Sequence, residues 1–203
     1  KAGTVKIAKL SKYISWMTTY ILSCSDEVTK THITLGYPKS KFKTIYNGFE
    51  LKDYSFSEDT RKGMRNQLGI SDEIVFINVA RYDIQKDHNT LLNAFSLFKK
   101  EFNNKFKLIL CGMDMTNQNL ELSEKISAQG LTNDILLLGV RNDISHIMQA
   151  SDYFVLSSLG EGFPNVLGEA MSVSLIPIAT DVGDCKMIIG DYGFVVEKQN
   201  PIL

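Results

Sequence analysis

From Glu73 onward, short apolar runs alternate with stretches of helical periodicity, and few folds accommodate that alternation. Glu73–Val79 (EIVFINV) has no apolar–polar alternation and predicts a buried strand. Asp87–Phe102 sets Leu91, Leu92, Ala94, Phe95, Phe98 and Phe102 at helical spacing, with Asp87 as N-cap. Phe106–Cys111 is the next strand, and Asn117–Gln129 a helix closed by Gly130. Ile135–Leu138, Tyr153–Leu156, Ile176–Ala179 and Gly193–Val196 read as further strands. Between them, Asp143–Ala150 reads as a short helix, and Pro164–Ser172 as a helix with proline at its first position. Strands and helices in this order predict an α/β fold: a Rossmann-like parallel sheet with helices on both faces. Covering both faces explains why the strands are apolar throughout.

The first 60 residues differ. Lys6–Met17 predicts a helix, Tyr20–Ser23 a strand, Glu27–Leu35 a helix and Phe42–Tyr46 a strand. Asn47-Gly48 is a turn signal, and Glu50–Phe56 has no period. Two strand–helix units are too few for a core of their own. Residues 1–46 therefore read as the terminal part of a preceding domain, 47–57 as a linker and 58–203 as a ligand-binding domain. The chain starts at Lys1 rather than Met, which reads as a segment of something longer.

Composition narrows the function. Twenty-two Lys and Arg against 23 Asp and Glu give a formal charge of -1, which argues against a nucleic-acid surface. Anionic ligands must then meet a few placed cations. Cys24, Cys111 and Cys185 are odd in number and widely spaced; they suggest free thiols in a cytoplasmic protein, not disulfides or zinc. His32, His88 and His146 lack ligand spacing and read as cap, loop or surface residues, so no metal site is expected. No apolar run has membrane-spanning length. Lys1, Lys6, Lys9 and Lys12 with Ile7, Leu10, Ile14 and Trp16 form either a basic amphipathic helix for a membrane surface or a solvated helix of the preceding domain.

In open α/β sheets, ligands bind beyond the carboxyl ends of the strands. Arg81 and Lys86 follow the first predicted strand, five residues apart. Such a pair suits a diphosphate, Arg by bidentate bonds and Lys as a point charge, or is a solvated surface pair. The Glu161–Glu169 segment carries more chemistry: a glycine-flanked carboxylate, a proline-started helix and a second carboxylate. Helix N–H groups near Asn165 and Val166 suit phosphate oxygens. A carboxylate accepts from vicinal sugar hydroxyls such as those of ribose. The bland alternatives are a loop charge at Glu161 and an exposed helix residue at Glu169.

Three stretches carry a resemblance: Asn78-Val79-Ala80-Arg81 with Gln85-Lys86-Asp87-His88, Glu161-Gly162-Phe163-Pro164-Asn165-Val166-Leu167-Gly168-Glu169-Ala170-Met171, and Thr180-Asp181-Val182-Gly183-Asp184 with Ile188 to Gly193. Together they resemble the group 1 glycosyltransferases, retaining nucleotide-sugar transferases of the GT-B fold (glycosyltransferase family four). Ser23 to Asp26, Leu35 to Pro38 and Ile45 to Gly48 are similar to the end of that family's N-terminal domain. The resemblance implies a hexose moved from a UDP- or GDP-linked donor to a glycan or lipid-linked acceptor, in capsule, lipopolysaccharide or exopolysaccharide synthesis, without a cofactor. It implies Arg81 and Lys86 on the donor diphosphate, and Glu161 on the sugar near the reacting carbon. Backbone groups of Phe163, Pro164, Asn165 and Val166 would hold phosphate and sugar, Glu169 the ribose, and Val140 and Arg141 the base. Lipid-linked acceptors in the family imply peripheral contact with the inner membrane. The chain departs from the pattern at Gly112-Met113-Asp114, which keeps one glycine, and near Met187, which lacks a glutamate. It would be the donor-binding half, inactive alone, without the family's closing helices. Two other readings fit the same residues: a GT-B nucleotide-sugar 2-epimerase, and a non-catalytic nucleotide-sugar-binding subunit.

Overall fold

A computed structural model describes residues 2–49, 54–102 and 104–202. The chain opens with α1 (Ala2–Ser11), β1 (Ile21–Ser23), α2 (Asp26–Thr34) and β2 (Phe42–Thr44). β1 and β2 form a small parallel sheet of their own, with Ile21 opposite Phe42. α3 (Glu58–Gln67) leads into β3 (Ile74–Val79), α4 (His88–Glu101), β4 (Phe106–Cys111), α5 (Leu120–Ala128) and β5 (Ile135–Gly139). Then come α6 (Ile144–Gln149), β6 (Tyr153–Leu156), α7 (Asn165–Ser172), β7 (Ile176–Thr180), α8 (Cys185–Ile189) and β8 (Phe194–Val196). The second sheet is six-stranded and parallel, in the order β5-β4-β3-β6-β7-β8.

Alternate residues of each strand enter opposite cores, as the period of two requires. Val75 and Ile77 of β3 pack with Met64 of α3, Ile147 of α6, Leu167 of α7 and Ile189 of α8. Phe76 points the other way, among Leu91 and Phe95 of α4 and Leu122 of α5. Its ring lies edge-on to Phe95 at 5.0 Å and stacked on Tyr153 at 5.1 Å. Each such pair adds roughly 0.5–1.5 kcal/mol beyond area burial, so Phe76 anchors that face. An apolar groove of about 520 Å³, lined by Phe95, Phe98, Val155, Ile178, Pro201 and Ile202 among others, lies between α4 and the β6–β7 strands.

Several boundaries differ from the sequence expectation. The expected helix Lys6–Met17 stops at Ser11, and a separate 3-10 turn covers Ser15–Met17. Ser15 Oγ bonds back to Lys12 O at 2.6 Å, and the following amides bond three residues back. A short hydroxyl side chain competing for the backbone ends the helix. Lys1 lies outside the described residues. Ile7, Leu10, Ile14 and Trp16 are all exposed. The helix expected from Asn117 begins at Leu120, because Asn119 caps it by accepting from Leu122 N at 3.2 Å. Pro164 is the N-cap of α7, not its first helical residue. β2 ends at Thr44, two residues short of Tyr46, with one more ladder bond from Ile45 N to Ser23 O at 2.8 Å.

α3 was not anticipated. Met64 is its one buried residue, so it shows little apolar periodicity. Arginines hold it instead: Arg61 donates to Gln149 O, Ser151 O and Asp152, and Arg65 to Ala150 O and Glu73 O. At the end of β4, Gly112 takes φ +140, and a Cβ there would fall 2.1 Å from Ala80 O. The Gly112-Met113-Asp114 departure thus retains a glycine that the backbone demands, while Asp114 takes a left-handed φ of 62 without one.

Candidate functional site

The sheet order places a crevice. The chain leaves β3 for β4 and β5 on one side, then returns to β6 on the other. The carboxyl ends of β3 and β6 flank that reversal, where open α/β sheets bind ligands. A 3-10 turn, Ile84–Lys86, follows β3, and Asp87 at φ 47 closes it while capping α4 through Thr90 N.

This turn is stitched to the segment after β6. Leu159 N donates to Gln85 O at 2.8 Å, Gln85 Nε2 to Gly160 O at 2.6 Å and Ser157 Oγ to Lys86 O at 2.8 Å. At its head, Lys86 Nζ meets Glu161 Oε1 at 2.6 Å, and Ser158 Oγ donates to the same oxygen at 2.6 Å. Both side chains are largely enclosed, 17% and 11% exposed. Desolvated charges at this distance need each other: removing one strands the other. Among the described residues, both hydrogen bonds to the Glu161 carboxylate fall on Oε1.

α7 supplies the neighbouring wall. Pro164 has no N–H, and its side chain offers no cap. Of the backbone donors expected from Phe163 to Val166, Pro164 is therefore lost, while those of Asn165 and Val166 stay uncapped at the positive end of the helix. Glu169, one turn on, is half-buried; burial pushes its carboxyl above the usual range, and a hydrogen bond from Tyr54 works against that. The expected linker is packed here. Asn47 Nδ2 donates to Asn165 Oδ1 at 2.7 Å, and Phe163 sits between the rings of Tyr46 at 5.7 Å and Phe49 at 6.4 Å. Residues 50–53 of that linker lie outside the described residues.

The rim is looser. Arg81 is 58% exposed, with Nε 3.6 Å from Asp83. Arg81 and Lys86 are therefore not a matched pair in this structure: each faces a different carboxylate. Val140 is exposed, and Arg141 is held by a bidentate bond to Asp143 at 2.8 and 2.7 Å. His88, expected as a cap, loop or surface residue, is buried with both ring nitrogens unpartnered among the described residues, and burial pushes it down to about 4. Sequence reading also missed Gln85, Ser158 and Tyr54. Gln85 stood in the Gln85-Lys86-Asp87-His88 motif without a role and Ser158 lies three residues before Glu161, which was the available signal; Tyr54 lies in a stretch without period and gave none.

Comparison with known proteins agrees with this geometry. The family model described as "Glycosyl transferases group 1" matches residues 60–202. An uncharacterized glycosyltransferase of Methanocaldococcus jannaschii is 33% identical over 150 residues, covering 73% of this chain and 35% of that protein. The capsular polysaccharide biosynthesis glycosyltransferase CapH of Staphylococcus aureus is 28% identical, covering 85% and 46%. The crystal structure of Anabaena HepE in complex with UDP and glucose superposes with TM-score 0.82 at 26% identity, covering 91% of this chain and 51% of that one. The chain thus spans about half or less of the length of these relatives. A parallel sheet reversing at β3 and β6, the loops that meet there and these likenesses converge on one assignment: the chain belongs to the group 1 glycosyltransferases, with a GT-B type fold.

Proposed function

We propose that the protein carrying this chain is a retaining transferase that moves a hexose from a nucleoside diphosphate sugar to a glycan or lipid-linked acceptor in surface polysaccharide synthesis. The observation that carries this reading is the enclosed Lys86–Glu161 pair at the sheet reversal, with the helix terminus after Pro164, which has no side-chain cap, on the same rim. The bound UDP and glucose of HepE and the capsular role in CapH's name support a nucleotide-sugar donor and a polysaccharide product.

On this reading the donor diphosphate takes the Lys86 ammonium, and Arg81 swings in from the rim. The N–H groups of Asn165 and Val166 complete the phosphate shell. No metal or cofactor is called for, because side chains and helix N–H groups meet the charge. Glu169 binds the ribose and Val140 with Arg141 borders the base. Glu161 is relieved of Lys86 and receives hydroxyls of the transferred sugar. Catalysis is positioning plus stabilisation of the leaving diphosphate, which itself accepts the acceptor's proton. The acceptor side belongs to residues 1–46 and to protein beyond this chain. The site works on a cytoplasmic face, where exposed Ile14 and Trp16 beside Lys12 would give peripheral membrane contact.

Titration calorimetry on this chain tests the reading. UDP or GDP should bind more tightly than the corresponding monophosphate. Equal binding of the two would defeat the diphosphate assignment, and transfer of labelled sugar separates a transferase from a non-catalytic binding subunit or an epimerase.

A further inference from the structure

Asp184 is a carboxylate only 4% exposed, and among the described residues it makes no ion pair. A buried charge without a cation must be held by hydrogen bonds. Its two oxygens accept from the amides of Asp26 at 3.1 Å and Glu27 at 3.3 Å, on the other side of the molecule's division into two sheets. These are the first two N–H groups of α2, where the helix dipole favours an anion.

The same residue grips the loop that carries Glu161. Asp184 N donates to Gly162 O at 3.0 Å. Gly183 next to it takes φ +56, and a Cβ there would fall 2.5 Å from the carbonyl oxygens of Glu161 and Gly162. From the opposite side, a Cβ on Gly162 would lie 3.1 Å from Val28 of α2. The backbone beside Glu161 is thus held between the Gly183-Asp184 turn and the first turn of α2. A second route closes the circuit: Asp26 accepts from Thr44 Oγ1 and Tyr46 Oη, both at 2.7 Å, and the Tyr46 ring lies on Phe163.

We propose that Asp184 is a positioning residue that locks the Glu161 loop to α2, fixing the carboxylate that meets the donor sugar relative to the acceptor-side unit. The proposal rests on the transferase reading above. Asp184 lies away from the nucleotide in this scheme, so its loss should misplace the reacting sugar without weakening the nucleotide. A misplacement of about 1 Å costs on the order of 100-fold in rate.

Three measurements test it. In this chain, Asp184→Ala should speed hydrogen exchange at the amides of Asp26 and Glu27, with UDP or GDP affinity within about 3-fold of the unmutated chain. In the protein as the cell makes it, Asp184→Ala should lower kcat by roughly 10- to 100-fold at nearly constant donor KM. Asp184→Asn keeps one acceptor oxygen and should recover part of that loss. A second variant removes the donor instead of the acceptor. Proline suits the first helical position, and Ser25 at φ -147, ψ 136 already has the extended geometry that precedes proline. Asp26→Pro should therefore cost more kcat than Asp26→Ala in the unmutated background, and the two should be equal in the Asp184→Ala background, because both remove the Asp26 carboxylate and only the proline removes the N–H. Unchanged kcat or unchanged exchange in Asp184→Ala, or equal effects of Asp26→Pro and Asp26→Ala, would overturn the lock. Absence of nucleotide binding by the unmutated chain would defeat the functional reading itself, a separate and recognisable failure.

Discussion

Lys86 and Arg81 leave the same strand five residues apart and end in opposite surroundings. Lys86 is enclosed, its ammonium 2.6 Å from Glu161, on a turn sewn to the segment after β6. Arg81 stands 58% exposed with Asp83 at 3.6 Å, a contact that water screens. The difference teaches that charge at a strand end marks where a ligand binds, while burial decides how much each charge contributes. The deep end of the crevice is organised before any ligand arrives; the rim is not.

The largest effect expected at the deep end is on turnover. Glu161→Ala should lower kcat by about 100- to 1000-fold, the scale for removing one group aimed at the reacting centre. Nucleoside diphosphate affinity should hold or rise, since the stranded Lys86 then serves the phosphates alone. Calorimetry beside steady-state kinetics checks this; a parallel collapse of nucleotide binding would show Glu161 to be a nucleotide ligand.

The enclosure of that end should also register as acid lability. His88, two residues from Lys86, is neutral when folded because burial dominates, with Asp87 and Asp83 opposing and Lys86 and Lys125 reinforcing. Its folded value, about 4, lies below the 6.5 of a solvated imidazole. Between those values the unfolded chain binds the proton and the folded chain does not, so stability falls as pH drops from about 6.5 to about 4. The full loss is on the order of 3 kcal/mol. Urea titrations at pH 7 and pH 4.5 should show a deficit that His88→Phe reduces; identical pH profiles for the two chains would place the lability elsewhere.

Third in size is the ammonium itself. Lys86→Ala should weaken UDP or GDP by roughly 10- to 150-fold, from ~1.5–3 kcal/mol for a charge-assisted bond, and remove most of the preference over monophosphate. Arg81→Ala, at the rim, should cost about 5-fold or less, as exposed ion pairs contribute roughly 0.2–1 kcal/mol. Finding Arg81→Ala as damaging as Lys86→Ala would erase the distinction between deep end and rim.

The same contrast governs what the sequence could reveal. The strands and α4 were legible because their apolar spacing reports burial directly: Leu91, Leu92 and Phe95 all reach the core. α3 was not, because Arg61 and Arg65 hold it through carbonyl oxygens, which leave no periodic trace. Lys86 and Glu161 were found as separate candidates; that they bond each other through a 75-residue separation is a fact of topology, fixed by β3 lying beside β6. His88 went astray for a related reason. A polar residue just after an N-cap reads as solvent-facing, but α4 packs flat on the sheet and takes its first residue inside. Residues 47–57 read as a connector because they lack period, yet Asn47, Phe49 and Tyr54 each contact α7, at Asn165, Gly168 and Glu169.

One of those contacts constrains how the family's motif can vary. A Cβ at Gly168 would fall 2.4 Å from the ring of Phe49, so the helix surface there is shaped to the aromatic side chain lying on it. The two positions are therefore coupled as heritable units, although 119 residues separate them. A methyl group at position 168 forces the Phe49 ring either to swing aside or to be replaced by a smaller side chain. A selection that restores function to Gly168→Ala should recover second-site replacements at Phe49, chiefly Leu, Val or Ala, while the same replacements in the unmutated background leave an unfilled gap and gain nothing.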